Sequence, residues 1–300
     1  MAGERLPLRH ALTLGAIQGP TELLPVSSSG HLVLVPCLLD WPYMELDPEL
    51  RKSFEVALHG GTALALLIGL RREVLEYIRE FSGRNLLTLT LSFAPAAVIA
   101  SRFERQIEQR LSEPVPVALA LLGGSLAMAL ADGSPQERQR DETRPADAIV
   151  IGLAQACALA PGVSRNGATL TAARLKRFHR RDANVISRQI ALPVIVGAAG
   201  LKGGRLLTRR DLPAGFARGM LAGAGAAFVS TFFSLRLIRV LERGRSLRPY
   251  AAYRALLALV VLARLLRRRS RAPTYAPSHA PVDTSPQVRA TTGGQATPVQ

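Results

Sequence analysis

"GAIQGPTELLPVSSSG" occupies residues 15–30 and "GLAQACALAPGVSRNG" occupies residues 152–167. Laid one on the other at a constant offset of 137, without a gap, Gly15 falls on Gly152, Gln18 on Gln155 and Val26 on Val163. Ser27 then meets Ser164, and Gly30 meets Gly167. The register runs on through Gly60 and Gly197, Arg72 and Arg209, Arg102 and Arg239. Similarity at a fixed period marks a repeated structural unit. Behind the first motif stand three apolar stretches, 54–70, 85–101 and 114–130, and behind the second stand 191–207, 221–237 and 250–266. Each is about the length that a helix needs to cross a hydrocarbon core. Helices of a soluble bundle would carry a charged face, and most of these carry none. The sequence therefore predicts an all-α, polytopic membrane protein.

Both motifs carry helix breakers, Pro25 and Pro161 with clustered Gly and Ser. Irregular backbone at membrane depth survives only where protein or a water-filled cavity surrounds it. Each motif thus reads as a re-entrant helical hairpin that enters and leaves on one side. Three crossings per unit is an odd number, so the second unit starts on the opposite side from the first. The expected architecture is an inverted repeat of three transmembrane helices plus one re-entrant hairpin each, with the hairpins meeting at mid-depth. The membrane domain is expected over 1–270, with repeat one about 6–131 and repeat two about 146–268, followed by a disordered tail of Pro, Thr, Ser, Ala and Gln over 271–300.

A formal net charge of +16 would suit a nucleic-acid binder, but its arginines cluster between the apolar stretches, as they do at lipid headgroups and cytoplasmic loops. No nucleic-acid partner is expected. Cys37 and Cys157 lack the spacing of a disulfide framework or a metal knuckle. The N-terminus lacks the basic start and small-residue cleavage site of a removable signal peptide.

In the first loop, "PTELLPVSSSGHL" (20–32) offers Glu22, Ser27, Ser28, Ser29 and His31. Ionisable groups at membrane depth are expensive and usually serve a site. Together these residues supply a base, hydroxyls and a proton carrier, the grouping that phosphoryl transfer or activation of water requires. Helix capping is the structural alternative for Glu22 and the serines, and a hydrogen-bonded structural role is the alternative for His31. In the second loop, "APGVSRNGATL" (160–170) sets Arg165 among small residues. Its fork of donors fits phosphate oxygens, and the neighbouring glycine backbone can form an anion-binding nest. Ser164 and Thr169 add hydroxyls.

"QGPTELLPVSSSGH" together with "PGVSRNGAT" resembles the undecaprenyl-diphosphate phosphatases, the bacitracin-resistance phosphatases, and the likeness extends through "FEVALHGGTALALL" and "SLRPYAAYRALL". The resemblance implies an integral phosphatase of the bacterial inner membrane that cuts undecaprenyl diphosphate to the monophosphate. It would recycle the lipid carrier for peptidoglycan synthesis, with a divalent cation, Mg²⁺ or Ca²⁺, in support and a homodimer as a further expectation. By the same resemblance the catalytic residues are Glu22, the motif glutamate and a candidate metal ligand, Ser28, the proposed nucleophile unless Glu22 activates water instead, His31, the motif histidine, and Arg165, the phosphate-binding arginine. Gln18, Ser27, Ser29, Ser164, Asn166, Gly167 and Thr169 are the expected substrate-binding set. Three positions depart from the family pattern: Gln18 for a usual glutamate, Ser29 for a threonine and Asn166 for a serine. The first is the weighty one, because an amide is no base and a weaker cation ligand than a carboxylate. It keeps a rival reading in view, a flippase or transporter for the lipid carrier, since inverted repeats with broken helices also build secondary transporters.

Overall fold

The computed structural model describes residues 6–207 and 213–271. Among these the chain is helical. In order come α1 (Leu8–Leu23), α2 (Ser28–Leu38), α3 (Pro48–Gly69), α4 (Arg71–Arg79), α5 (Gly83–Leu111), α6 (Pro114–Asp132), α7 (Pro145–Cys157), α8 (Arg165–Leu175), α9 (Arg180–Leu207), α10 (Ala214–Ser234), α11 (Arg236–Glu242) and α12 (Arg248–Arg271). Several starts follow from local chemistry. Pro48, Pro114 and Pro145 open their helices at positions where the missing N–H is no loss. The Asp47 carboxylate accepts from the Glu49 and Leu50 amides at 2.8 and 3.3 Å.

Among the described residues five helices are long and apolar enough to cross a membrane: Gly83–Leu111, Pro114–Asp132, Arg180–Leu201, Gly215–Val240 and Arg248–Arg268. This is a multi-pass membrane protein. Of the six apolar stretches read from the sequence, five fall on these helices and the first falls on a bent pair that makes a sixth when taken as one span. Pro48–Gly69 passes only together with Arg71–Arg79, across a 72° bend. The first turns of α3 carry Lys52, which pairs with Glu108 at 2.6 Å and Glu104 at 3.5 Å on α5. Leu126, Leu130, Leu221 and Leu256 stand more than 60 % exposed, as side chains that face lipid do. The tail expected over 271–300 lies outside the described residues from 272 onward.

The two motif segments fold alike. α2 spans residues 28–38 and α8 spans 165–175, the same limits at the offset of 137. Each is preceded by a serine in a backbone conformation that L-residues rarely adopt, Ser27 at φ 75° and Ser164 at φ 73°. Each of those serines caps its helix, Ser27 Oγ accepting from the Gly30 amide at 3.2 Å and Ser164 Oγ from the Gly167 amide at 3.1 Å. Packing is reciprocal as well. α1 lies against α10, and its counterpart α7 lies against α5; α6 pairs with α12, and α3 with α9. The repeated glycine makes both hairpin contacts close, since a Cβ on Gly15 would strike Gly223 and Ala226 of α10, and one on Gly152 would strike Leu91 and Ser92 of α5.

Polar side chains gather at the two ends of the bundle. At one end Asp40, just past α2, pairs with Arg264 and Arg268 near the close of α12. At the other, Asp132 at the close of α6 binds Arg180 at 2.7 Å and Ser246, just before α12, at 2.6 Å. There too Asp147, in the first turn of α7, binds Arg138 at 2.7 Å. Apolar cores fill the space between, one of them built on Leu14, Phe54, Leu58 and Phe216 and another on Leu34, Val117, Leu121 and Val261.

Candidate active site

Glu22 sits in the last turn of α1, its side chain only 6 % exposed. An isolated carboxylate there would be costly, and the chain surrounds it with donors. Arg165 Nη2 donates to Glu22 Oε1 at 2.6 Å. Ser28 Oγ donates to Glu22 Oε2 at 2.6 Å, and Gln18 Nε2 reaches the same oxygen at 3.4 Å. His59 Nδ1, from α3, lies 3.8 Å from that oxygen and 3.3 Å from Gln18 Nε2. Two loops 143 residues apart therefore close on one carboxylate.

The repeat explains why they do. At the offset of 137, Ser28 and Arg165 are counterparts, the first residues of α2 and α8. Both follow a capping serine, and both reach Glu22. Each unit contributes one helix N-terminus, whose free amides and dipole favour an anion. One unit brings a hydroxyl to it and the other a guanidinium. The same local fold is thus used twice with different chemistry.

The remaining expected residues divide. Asn166 Nδ2 donates to the Leu23 carbonyl at 2.9 Å, tying α8 to the first loop, while its Oδ1 accepts from Ser187 at 2.9 Å. Thr169 is buried and bonds Ser187 Oγ at 2.6 Å, so it braces α8 on α9. Ser27 and Ser164 act as caps, and Ser29 Oγ lies 3.4 Å from Ser27 Oγ. Gly167 spends its amide on the Ser164 cap, and a Cβ there would collide with the Arg254 guanidinium at 2.5 Å. His31 stands apart from the Glu22 cluster in its bonding. Its Nδ1 is 2.8 Å from the Ser27 carbonyl, its Nε2 is 2.7 Å from the Tyr253 hydroxyl, and its ring stacks on Tyr253. The carbonyl only accepts, so Nδ1 carries the proton toward Ser27. The partner of the Ser28 hydroxyl is Glu22.

Sequence reading missed three contributors. Arg254, fully buried in α12, donates to Pro25 O at 3.2 Å and to Gly162 O and Val163 O at 3.3 and 2.8 Å. One cation thereby straps the two breaks to each other. Its signal was present as an arginine near the start of an apolar span, and such groups mark function or structure in membranes. His59 was a lone histidine within the first apolar stretch. The third is the Ala191 carbonyl of α9, which takes Arg165 Nη1 at 3.1 Å and fixes the fork beside Glu22; a backbone acceptor leaves no trace in a sequence.

A profile of the family described as bacitracin resistance protein BacA matches residues 11–260. The chain belongs to the BacA family. Among curated relatives, the undecaprenyl-diphosphatase of Geobacter metallireducens is 40 % identical over 267 residues, covering 84 % of this chain and 96 % of the relative. That of Geobacter sulfurreducens is 39 % identical over 277 residues, covering 88 % and 100 %. That of Moorella thermoacetica is 36 % identical over 268 residues, covering 87 % and 98 %. Both motif loops, and the Glu22–Arg165 pair between them, lie inside the matched region.

Proposed function

We propose that this protein is an undecaprenyl-diphosphate phosphatase whose two motif loops grip one diphosphate headgroup within the membrane. The observation that carries the mechanism is the convergence of Ser28 and Arg165 on Glu22, each at 2.6 Å. The relatives named above carry the hydrolase name, and no observation favours the transporter reading.

The polyprenyl tail lies in lipid, and the diphosphate enters between the N-termini of α2 and α8. Arg165 turns part of its fork from Glu22 to the phosphoryl oxygens, while Ala191 keeps the guanidinium plane in place. Such transfers gain mostly from positioning and charge stabilisation. Ser28 Oγ attacks the terminal phosphorus as Glu22 Oε2 takes its proton. The bond from that phosphorus to the bridging oxygen breaks, and polyprenyl monophosphate leaves. Water then attacks the phosphoserine, the Ser28 oxygen recovers the proton held by Glu22, and inorganic phosphate departs with the balance of one water consumed. What supports the serine route over direct attack by water is the short Ser28–Glu22 bond. Asn166 and Thr169 act in this scheme by holding α8 against the first loop and α9. His31 positions α2 through Ser27 and Tyr253.

A divalent cation fits this site in a limited way. Among the described residues no group of three or more His, Cys, Asp or Glu could hold a metal. Gln18 Oε1 is buried without a partner, however, and lies on the side chain next to Glu22. Glu22 and Gln18 would hold Mg²⁺ or Ca²⁺ with the phosphate oxygens completing the shell, as is usual for Mg²⁺. When bound, the ion would neutralise charge on the diphosphate.

The inverted arrangement belongs to the same proposal. It is supported by the ends of the bundle, where Asp40 after hairpin α1–α2 meets the close of α12, whereas Asp132 at the close of α6 meets the start of α12. The reciprocal packing of α1 on α10 and α7 on α5 fits a two-fold axis in the membrane plane. Residence in the bacterial inner membrane, carrier recycling for peptidoglycan and assembly as a homodimer complete the reading. The test is phosphate release from a polyprenyl diphosphate by the purified chain, beside a vesicle assay for movement of the monophosphate. Release by the wild type and its loss in Ser28→Ala are expected. Movement of lipid without any release would overturn the hydrolase; wild-type release from Ser28→Ala would overturn the serine route.

A further inference from the structure

At the start of α1, about 20 Å along the helix from Glu22, lies a cavity of ≈ 420 Å³ lined in part by Arg9, His10, Thr13, Asp40 and Trp41. Its size falls in the range of small-molecule sites. His10 is 4 % exposed and stacks face to face on Trp41, with ring centres 4.1 Å apart and planes 8° from parallel. Its Nδ1 is buried and has no hydrogen-bond partner. Buried polar atoms are nearly always paired, so this orphan in a residue that lines the cavity is an exception.

The charge around it is positive. Asp40 is the acid on the wall, and both its oxygens are taken, Oδ2 by Arg264 at 2.5 Å and Oδ1 by Arg268. Arg9 is exposed and forms no ion pair among the described residues. α1 itself begins without a side-chain cap, so its first amides and its dipole add to the attraction for an anion. Beside these polar groups Leu8, Leu12 and Leu39 are 50, 44 and 53 % exposed. The cavity therefore straddles the boundary between headgroup and hydrocarbon, where tryptophan also concentrates.

We infer that this cavity binds the phosphate of an anionic phospholipid headgroup, with Arg9 and His10 as its donors and the acyl chains on Leu8, Leu12 and Leu39. Basic pockets between helix ends take such headgroups. The site is separate from the diphosphate site and does not depend on the proposed chemistry there.

Native mass spectrometry of the full chain, given phosphatidylglycerol or phosphatidylcholine of equal acyl length, tests it. The wild type should retain phosphatidylglycerol in preference. Arg9→Gln should reduce that preference about fivefold, the worth of one basic residue near a membrane surface. His10→Phe keeps a flat ring against Trp41 and should reduce it too, while phosphate release in detergent stays at the wild-type level in both variants. Equal retention of the two lipids by the wild type, or an unchanged preference in Arg9→Gln, overturns the site. Inorganic phosphate protecting the wild type against thermal unfolding as well as the lipid does would reassign the cavity to a free anion and overturn the lipid.

Discussion

Restoring an acid at position 18 is the sharpest perturbation that this site offers. Gln18 is fully buried, and its Nε2 lies 3.4 Å from Glu22 Oε2. Gln18→Glu changes little volume but sets a second negative oxygen at that spacing. Two unit charges so placed repel by about 4–5 kcal/mol at an effective dielectric constant of 20. Arg165 already neutralises Glu22, so the new charge has only His59, 3.3 Å from Gln18 Nε2, to offset it when protonated, and it repels an anionic substrate. In chelator the variant should therefore fall below the wild type. Two carboxylates would hold Mg²⁺ or Ca²⁺ more firmly than one with an amide, and the cation would offset their repulsion, so the variant should then exceed the wild type in phosphate release. The assay is the rate of release from polyprenyl diphosphate, with and without chelator, for both proteins. The ratio of the two rates should be at least tenfold larger in Gln18→Glu. Equal ratios would show that position 18 does not adjoin the cation, and the reasoning about this departure from the family pattern would fail.

Two further predictions concern stability. Arg254→Met should lower the thermal midpoint in detergent sharply, because the carbonyls of Pro25, Gly162 and Val163 would lose their buried donor, at about 1–3 kcal/mol for each group left unsatisfied; an unchanged midpoint would remove the strap from the account. Gly19→Ala should also destabilise, since its Cβ would strike the Ser230 hydroxyl at 2.5 Å and the backbone beside it on α10. Gly60→Ala meets nothing within 4 Å and should be neutral or stabilising by up to about 1 kcal/mol; similar midpoints for the two alanine variants would contradict the close packing of α1 on α10.

Much of this was legible in the sequence, for reasons that differ from element to element. The repeat could be read because both units need a glycine at the same helix contact and a serine at the same cap, so Gly15 with Gly152 and Ser27 with Ser164 preserve the register. Glu22 and Arg165 stood out because charges within apolar sequence are costly. Five of the six apolar stretches fall on straight helices long enough to cross, and the first falls on the bent pair α3–α4, whose 72° turn hydropathy does not register. His31 reads as a proton carrier beside Ser28, with a hydrogen-bonded structural role as the alternative, because proximity in sequence does not reveal direction. At the start of α2 the hydroxyl of Ser28 turns to Glu22, whereas the imidazole one turn later turns to Tyr253 of α12. The cavity at His10 was invisible, since its walls come from α1 and the loop after α2.

The central claim is that Glu22 and Arg165 act as one unit on one headgroup. A double-mutant cycle on kcat/KM for polyprenyl diphosphate, with Glu22→Gln, Arg165→Ala and the pair, measures it directly. Each single change should cost about 10²–10³-fold, and the pair should cost little more than the worse single, as residues that work together do. Losses that multiply, or an Arg165→Ala protein of wild-type rate, would contradict the account.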